Sequence, residues 1–272
     1  MRLALAQLHV EPSNVSGNVE RAVDAIERAA AEDADLVVLP ELFSVGYFAF
    51  DSYARSAESV TGETLTRIGE TADRNDVAVL AGSIVEELEA SAAAGVDVPA
   101  PEGLANTAVF FDRDGHRRAV YRKHHLFGYG SAETELLEPG ERIPTVEFGG
   151  FTIGVTTCYD LRFPELFRQL VDDGVTLTLV PSAWPYPRVE HWKLFGRIRA
   201  VENQMYVAAT NGVGQFADAE LLGRSTVYDP WGTTLASSAD EPALVTADVT
   251  PDRVERVREE FPALADRRTT LR

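Results

Sequence analysis

Apolar residues at the start of the chain alternate between two arrangements. Arg2 to Leu8 is almost continuously apolar and predicts a strand. Val15, Val19, Ala22, Val23, Ile26 and Ala30 then recur at helical spacing, predicting a helix over about 14–34. Leu36 to Leu39 is a short, fully apolar strand. A loop with Gly46 and several aromatic residues follows, then a helix near Glu63 to Asn75 and a buried strand from Val77 to Ile84. A β-α-β-α-β beginning of this kind favours strands covered by helices.

Beyond Glu86 the pattern weakens. Residues 86–103 are acidic and alanine-rich with Pro99 and Pro101, and read as an exposed hairpin extension without chemistry of its own. Thr107 to Phe111 and Arg118 to Arg122, joined by Asp112-Arg113-Asp114-Gly115, predict two antiparallel strands, so the sheet is mixed. After a long loop to about Ile143, a strand leads through Phe151–Thr157 to Cys158. Next come a helix over about 164–173, a buried strand Val175–Val180, a helix over about 189–202 and a strand Met205–Thr210. A hairpin around Asp229-Pro230-Trp231-Gly232, a strand Ala243–Val249, a helix Pro251–Glu260 and an irregular basic tail close the chain. No solenoid repeat or compositional break divides it, and one domain over 1–272 is expected.

Composition narrows the classes. A chain of 29.7 kDa with 45% hydrophobic residues can bury a large core. No apolar run approaches the roughly 18 residues of a membrane span, and the N-terminus runs straight into a strand pattern, which predicts an unprocessed cytoplasmic protein. The formal charge of −18, from 43 acidic against 25 basic residues, repels phosphates and argues against nucleic-acid or anionic-membrane partners. Only two of the basic residues are lysines, Lys123 and Lys193. An acidic, lysine-poor chain rich in Ala, Asp and Glu suggests adaptation to high intracellular salt, and a lysine kept at 123 gains meaning against that background. A single cysteine excludes an intrachain disulfide framework and any CxxC pair.

That cysteine, Cys158, stands where an apolar strand breaks toward a helix start at Pro164, which is how α/β enzymes present a nucleophile. A lone strand-end cysteine is more often inert and buried, but here it has company. Glu41 follows the apolar run ending at Leu39, and Lys123 follows the run ending at Tyr121. A cysteine hydrolase needs a thiolate, a proton acceptor and oxyanion donors. Glu41, Lys123 and Cys158 fill those roles, with the backbone N–H of Tyr159 as a second oxyanion donor. At about 4 Å and an effective dielectric near 20, one lysine charge is worth roughly 4 kcal/mol to a thiolate before desolvation is subtracted. The rival arrangement is a Cys-His site using His124, His125 or His191, and spacing does not exclude it. No histidine pair has the i, i+4 spacing of a zinc helix and no carboxylates have calcium-loop spacing, so neither metal nor other cofactor is expected. A third alternative is a non-catalytic protein using Cys158 as a redox-sensing thiol, which leaves Glu41 and Lys123 without a role.

Leu39-Pro40-Glu41, Arg122-Lys123-His124-His125-Leu126-Phe127 and Cys158-Tyr159-Asp160-Leu161-Arg162-Phe163-Pro164-Glu165 resemble the three blocks of the nitrilase, or carbon–nitrogen hydrolase, superfamily. The likeness continues through Pro181-Ser182-Ala183-Trp184-Pro185, Arg199-Ala200-Val201-Glu202-Asn203-Gln204 and Asp229-Pro230-Trp231-Gly232. It implies a four-layer α-β-β-α sandwich, a Glu41-Lys123-Cys158 triad, and a second glutamate, Glu133, seven residues before Gly140, with Glu135 its neighbour. It also implies homodimers or larger homo-oligomers. Within the superfamily the sequence is most similar to omega-amidases acting on the distal amides of 2-oxo dicarboxylic acids, with N-carbamoyl amide hydrolases as the alternative. Such a substrate needs a cation for its far carboxylate. Arg188, together with Trp184 in the block expected to rim the pocket, is the candidate, the competing reading being a helix-start arginine paired with Glu190 or with solvent.

Overall fold

The structure is a computed structural model that describes residues 1–268. In the first half of the chain, β1 (Arg2–Gln7), α1 (Val15–Ala31), β2 (Leu36–Val38), the single turn α2 (Tyr53–Ser56), α3 (Glu63–Arg74), β3 (Ala78–Glu87), α4 (Leu88–Ala93), β4 (Leu104–Phe111) and β5 (Arg117–Arg122) follow in order. The second half carries α5 (Glu133–Leu136), β6 (Thr145–Phe148), β7 (Phe151–Val155), α6 (Pro164–Asp172), β8 (Leu177–Ser182), α7 (Val189–Asn203) and β9 (Tyr206–Asn211). A hairpin of β10 (Val213–Phe216) and β11 (Ala219–Leu222), then β12 (Thr226–Tyr228), β13 (Thr234–Ser237), β14 (Ala243–Asp248) and α8 (Pro251–Glu260) complete it.

Two six-stranded mixed sheets result, ordered β14-β1-β2-β3-β4-β5 and β13-β12-β9-β8-β7-β6. Strand periodicity explains their stacking. In β1, Leu3 and Leu5 point to one face and Ala4 and Ala6 to the other. Leu3, Leu5, Leu36, Leu80 and Phe110 meet Phe151, Ile153, Leu179 and Tyr206 of the second sheet to form the central layer of core. Ala4, Val37, Val79 and Val109 face Val19, Ile26, Leu65 and Ile68 of α1 and α3. On the far side, Val180, Val207 and Ala209 face Phe167 and Leu170 of α6 and Trp192 and Ala200 of α7. The architecture is the α-β-β-α sandwich that the resemblance implies.

Residues 86–103 require a correction. β3 runs on to Glu87, and Leu88 and Ser91 of α4 are buried. Glu86 is fully buried and holds Arg122 through two hydrogen bonds of 2.6 and 2.7 Å. Only the stretch after α4 behaves as the expected exposed excursion. An acidic, alanine-rich composition hid a buried ion pair, because composition does not record which single carboxylate finds a partner. The basic tail beyond residue 268 lies outside the described residues.

Candidate active site

The parallel strands β2, β7 and β8 end on one side of the molecule, and the chain segments leaving them converge there with the end of β5. Leu39-Pro40-Glu41 leaves β2 and crosses β3 at Gly82. A Cβ at Gly82 would stand 1.9 Å from the Pro40 carbonyl oxygen, so only glycine admits this crossing. Glu41 is buried. Its Oε1 accepts hydrogen bonds from Lys123 Nζ (2.8 Å) and Asn106 Nδ2 (2.9 Å), and its Oε2 accepts one from the Ala183 N–H (2.9 Å) just past β8.

Lys123 follows β5 and is almost completely buried. Besides Glu41, its ammonium reaches both oxygens of Glu133, at 2.8 and 2.9 Å. Glu133 also accepts from the Phe127 N–H (2.7 Å), the Tyr47 hydroxyl (3.0 Å) and Asn106 Nδ2 (3.1 Å). The Pro139-Gly140 pair has a mechanical reason. The Gly140 N–H donates to the Lys123 carbonyl at 2.9 Å, and a Cβ there would stand 2.1 Å from the Arg122 carbonyl oxygen.

Cys158 opens a short 3-10 helix over Cys158–Arg162 and has φ +48°, a left-handed conformation that non-glycine residues seldom adopt. Asp160 braces this turn. Its Oδ2 accepts from the Tyr121 hydroxyl (2.6 Å) and the Thr157 N–H (2.8 Å), while its Oδ1 takes the His125 N–H (3.0 Å) and lies 2.8 Å from His125 Nδ1. One buried carboxylate thus ties the residue before the cysteine to residues on either side of Lys123.

Burial and the neighbouring charges shift all three groups. It raises the Glu41 carboxyl, with Lys123 opposing the shift and Glu133 adding to it. Burial alone would lower Lys123, but Glu133 and Glu41 more than offset it and hold the ammonium well above its ordinary value. For Cys158, burial and the Glu41 charge outweigh Lys123 and push the thiol well up. The lysine's pull on the thiolate is thus opposed by desolvation and by the neighbouring carboxylate, and the net shift of the thiol is upward.

Above Cys158 lies a cleft of about 370 Å³, its open mouth included, walled by Tyr47, Phe127, Tyr159 and Trp184 and bordered by Arg162 and Arg188. Both predicted rim residues are present. The Trp184 indole N–H donates to the Arg188 carbonyl (3.2 Å), which fixes the ring as a wall. Arg188 lies over the Phe127 ring at 5.8 Å, while Glu190 pairs with Lys193 instead. Among the described residues no histidine lines the cleft: His125 serves Asp160 and stacks on Phe163, and His191 meets Arg162. A cation-sized grouping of Asp112, Asp114 and His116 occurs at the β4–β5 turn. There Asp112 already accepts the N–H groups of Asp114 and His116 and the Arg118 guanidinium.

The sequence profile of the carbon–nitrogen hydrolase family matches residues 2–259. The chain belongs to that family. It is 38% identical over 242 residues to a 2-oxoglutaramate amidase of Paenarthrobacter nicotinovorans, covering 88% of this chain and 80% of that protein. It is 35% identical over 280 residues to the omega-amidase of Homo sapiens, covering 99% and 96%. A solved structure of a variant amidase from Nesterenkonia sp. AN1, in which acrylamide has added to the active-site cysteine, superposes with a TM-score of 0.79 at 28% identity, covering 97% and 99%. As a carbon–nitrogen hydrolase the protein is an enzyme acting on amide-type bonds. To the residues read from the sequence, the geometry adds Tyr47, Asn106, Asp160 and Arg162. Asn106 left a signal, being a polar residue in the apolar run Leu104–Phe111, and Asp160 and Arg162 lie inside the cysteine block.

Proposed function

We propose that this enzyme is an omega-amidase, hydrolysing the distal amide of a short 2-oxo dicarboxylic acid monoamide through a thioester at Cys158. The observation that carries the reading is the pair of guanidiniums at the cleft. Among the described residues, neither Arg162 nor Arg188 is ion-paired to a carboxylate, in a chain with 43 acidic residues. Arg162 sits over the Trp184 and Phe195 rings at 5.1 and 5.0 Å, and burial followed by the repulsion of Arg188 lowers its pKa. Two neighbouring cations without counter-charges suit an anion supplied by the substrate. The names of the two amidase relatives favour the same class.

In this reading Glu41 takes the thiol proton as the Cys158 sulfur bonds to the amide carbon. Lys123 and the Tyr159 N–H hold the oxyanion. On collapse the carbon–nitrogen bond breaks, Glu41 returns the proton, and ammonia leaves. Water, deprotonated by Glu41, then attacks the thioester and releases the acid and the thiol. Glu133 holds Lys123 in place throughout. Burial suits this scheme, since a neutral thiol that ionises only on attack avoids a free charge in a dry site.

Ammonia release from 2-oxoglutaramate, butyramide and an N-carbamoyl amine tests the substrate. Arg188→Ala should raise KM for the acid about tenfold or more while sparing butyramide, since losing one charged hydrogen bond of about 1.5–3 kcal/mol weakens binding to that degree. Faster turnover of the carbamoyl compound would transfer the assignment to the N-carbamoyl amide hydrolases, and thiol oxidation without amide turnover would favour a redox sensor.

We also infer a homodimer working in a salt-rich cytoplasm. Leu194, Ile198 and Val201 form an exposed stripe on α7, continued by exposed Trp231 and Phe261, whose rings lie 5.8 Å apart. Light scattering showing a monomer at micromolar concentration would remove this reading.

A further inference from the structure

Three charges meet around Glu41, and they do not balance. Among the described residues, Lys123 is the one cation facing two buried carboxylates, those of Glu41 and Glu133. Two carboxylates sharing a desolvated site normally resolve the repulsion by one of them taking a proton. A protonated Glu41 could not act as a base, and a protonated Glu133 would loosen its hold on Lys123. Asn106 bears on this imbalance. It is buried on β4, and its carboxamide Nδ2 lies 2.9 Å from Glu41 Oε1 and 3.1 Å from Glu133 Oε1, the same two oxygens that Lys123 contacts at 2.8 Å each.

The amide has two N–H protons and no charge, so it can serve both carboxylates without altering the net charge. Its orientation is forced. Turned over, Oδ1 would face two carboxylate oxygens, whereas as placed Oδ1 is buried without a partner. An unsatisfied buried carbonyl is unfavourable, and the two charge-assisted bonds on the nitrogen compensate for it. The position is fixed by sheet register, because the Lys123 N–H donates to the Asn106 carbonyl at 2.9 Å.

We propose that Asn106 is a positioning residue that keeps Glu41 and Glu133 ionised together, holding Glu41 as a base while Glu133 holds Lys123. The inference rests on Glu41 being the base of the proposed reaction. The other groups bearing on Glu41 are Lys123, Glu133, Cys158, Tyr47 through its hydroxyl on Glu133, and the Ala183 N–H. Asn106 is the neutral side chain among them that donates to both carboxylates.

The sign of the effect follows. A hydrogen bond to the ionised form lowers a carboxyl pKa, so removing it raises that pKa, and the acid limb of kcat/KM moves to higher pH. The cluster titrates as a unit, and the limb belongs to the set rather than to Glu41 alone. Asn106→Leu keeps the side-chain shape and removes both donors. The acid limb for butyramide should move up by about one pH unit or more, with activity partly restored toward alkaline pH. Cys158 alkylation by iodoacetamide should show the same displacement without depending on turnover.

If Asn106→Leu fails to fold, Asn106→Asp preserves the shape. Protonated, it can donate to only one carboxylate; ionised, it adds a third negative charge. Both raise the limb. Folded variants with equal loss at every pH and an unmoved limb would overturn the proposal and leave Asn106 a packing residue. Glu41→Gln separates the two levels: if it keeps the wild-type activity and pH profile, the base assignment itself fails, whereas an inactive Glu41→Gln beside unmoved Asn106 limbs rejects Asn106 alone.

Discussion

Lys123 shows how one residue carries both stability and chemistry. Its ammonium is the cation among two buried carboxylates, and its carbonyl and N–H anchor Gly140 and Asn106. Removing it leaves two uncompensated carboxylates, and breaking a buried ion pair by deleting one partner costs about 3–5 kcal/mol. Lys123→Ala should therefore show a marked drop in its denaturation midpoint as well as lost activity. Lys123→Arg keeps the charge but replaces a compact ammonium with a planar fork that cannot reach both carboxylates and an oxyanion in the same geometry. It should retain more stability than Lys123→Ala while losing about 10²–10³ in kcat, the usual effect of losing an oxyanion donor. Urea melts and ammonia release on the two variants and on Cys158→Ala, which should fold and release no ammonia, check this. Near-normal turnover by the arginine variant would place Lys123 outside the chemistry.

Crossings between elements aim these side chains. Glu41 reaches the cluster because the segment after β2 passes over β3 at Gly82, and the β3–β4 register shifts between Ala81 and Ile84 at that same place. Gly82→Ala would drive a methyl into the carbonyl of Pro40, the residue immediately before Glu41. Overpacking of this kind costs about 1–3 kcal/mol, and the easiest relief is a shift of Leu39-Pro40 that carries Glu41 away from Ala183 and Lys123. The variant should be folded but less stable, with kcat reduced far more than its stability accounts for. A wild-type kcat at a lowered midpoint would mean that the crossing strains the fold without aiming the base. Asp160 does comparable work on the opposite wall, binding the Cys158 turn to the end of β5 through Tyr121 and His125.

Charge acts on the whole molecule. A formal charge of −18 makes the compact state repel itself, and molar salt shortens the Debye length to about 3 Å, removing most of that repulsion. Thermal melts in molar potassium chloride should have higher midpoints than in dilute buffer. For a chain of this size each 1 kcal/mol corresponds to about 2–4 °C. The buried cluster is screened far less than surface pairs such as Arg2–Asp248, so its geometry should be indifferent to salt. An unchanged or higher midpoint at low ionic strength would contradict adaptation to salt.

The chain's own pattern settled what depends on neighbours in sequence. The helical spacing in 14–34 and the alternation in β1 report local periodicity, and Glu41, Lys123 and Cys158 stood out because each ends or follows an apolar run. Tertiary structure decided what depends on distance through space. Asn106 and Glu41 are 65 residues apart in the chain, and no spacing rule brings their side chains together. Glu86 looked like one more acid in an acidic stretch until burial beside Arg122 gave it a partner. The direction of the Cys158 shift was decided in the same way: a nearby lysine favours a thiolate, but how strongly desolvation opposes it depends on how completely the fold closes over the sulfur, which a sequence does not state.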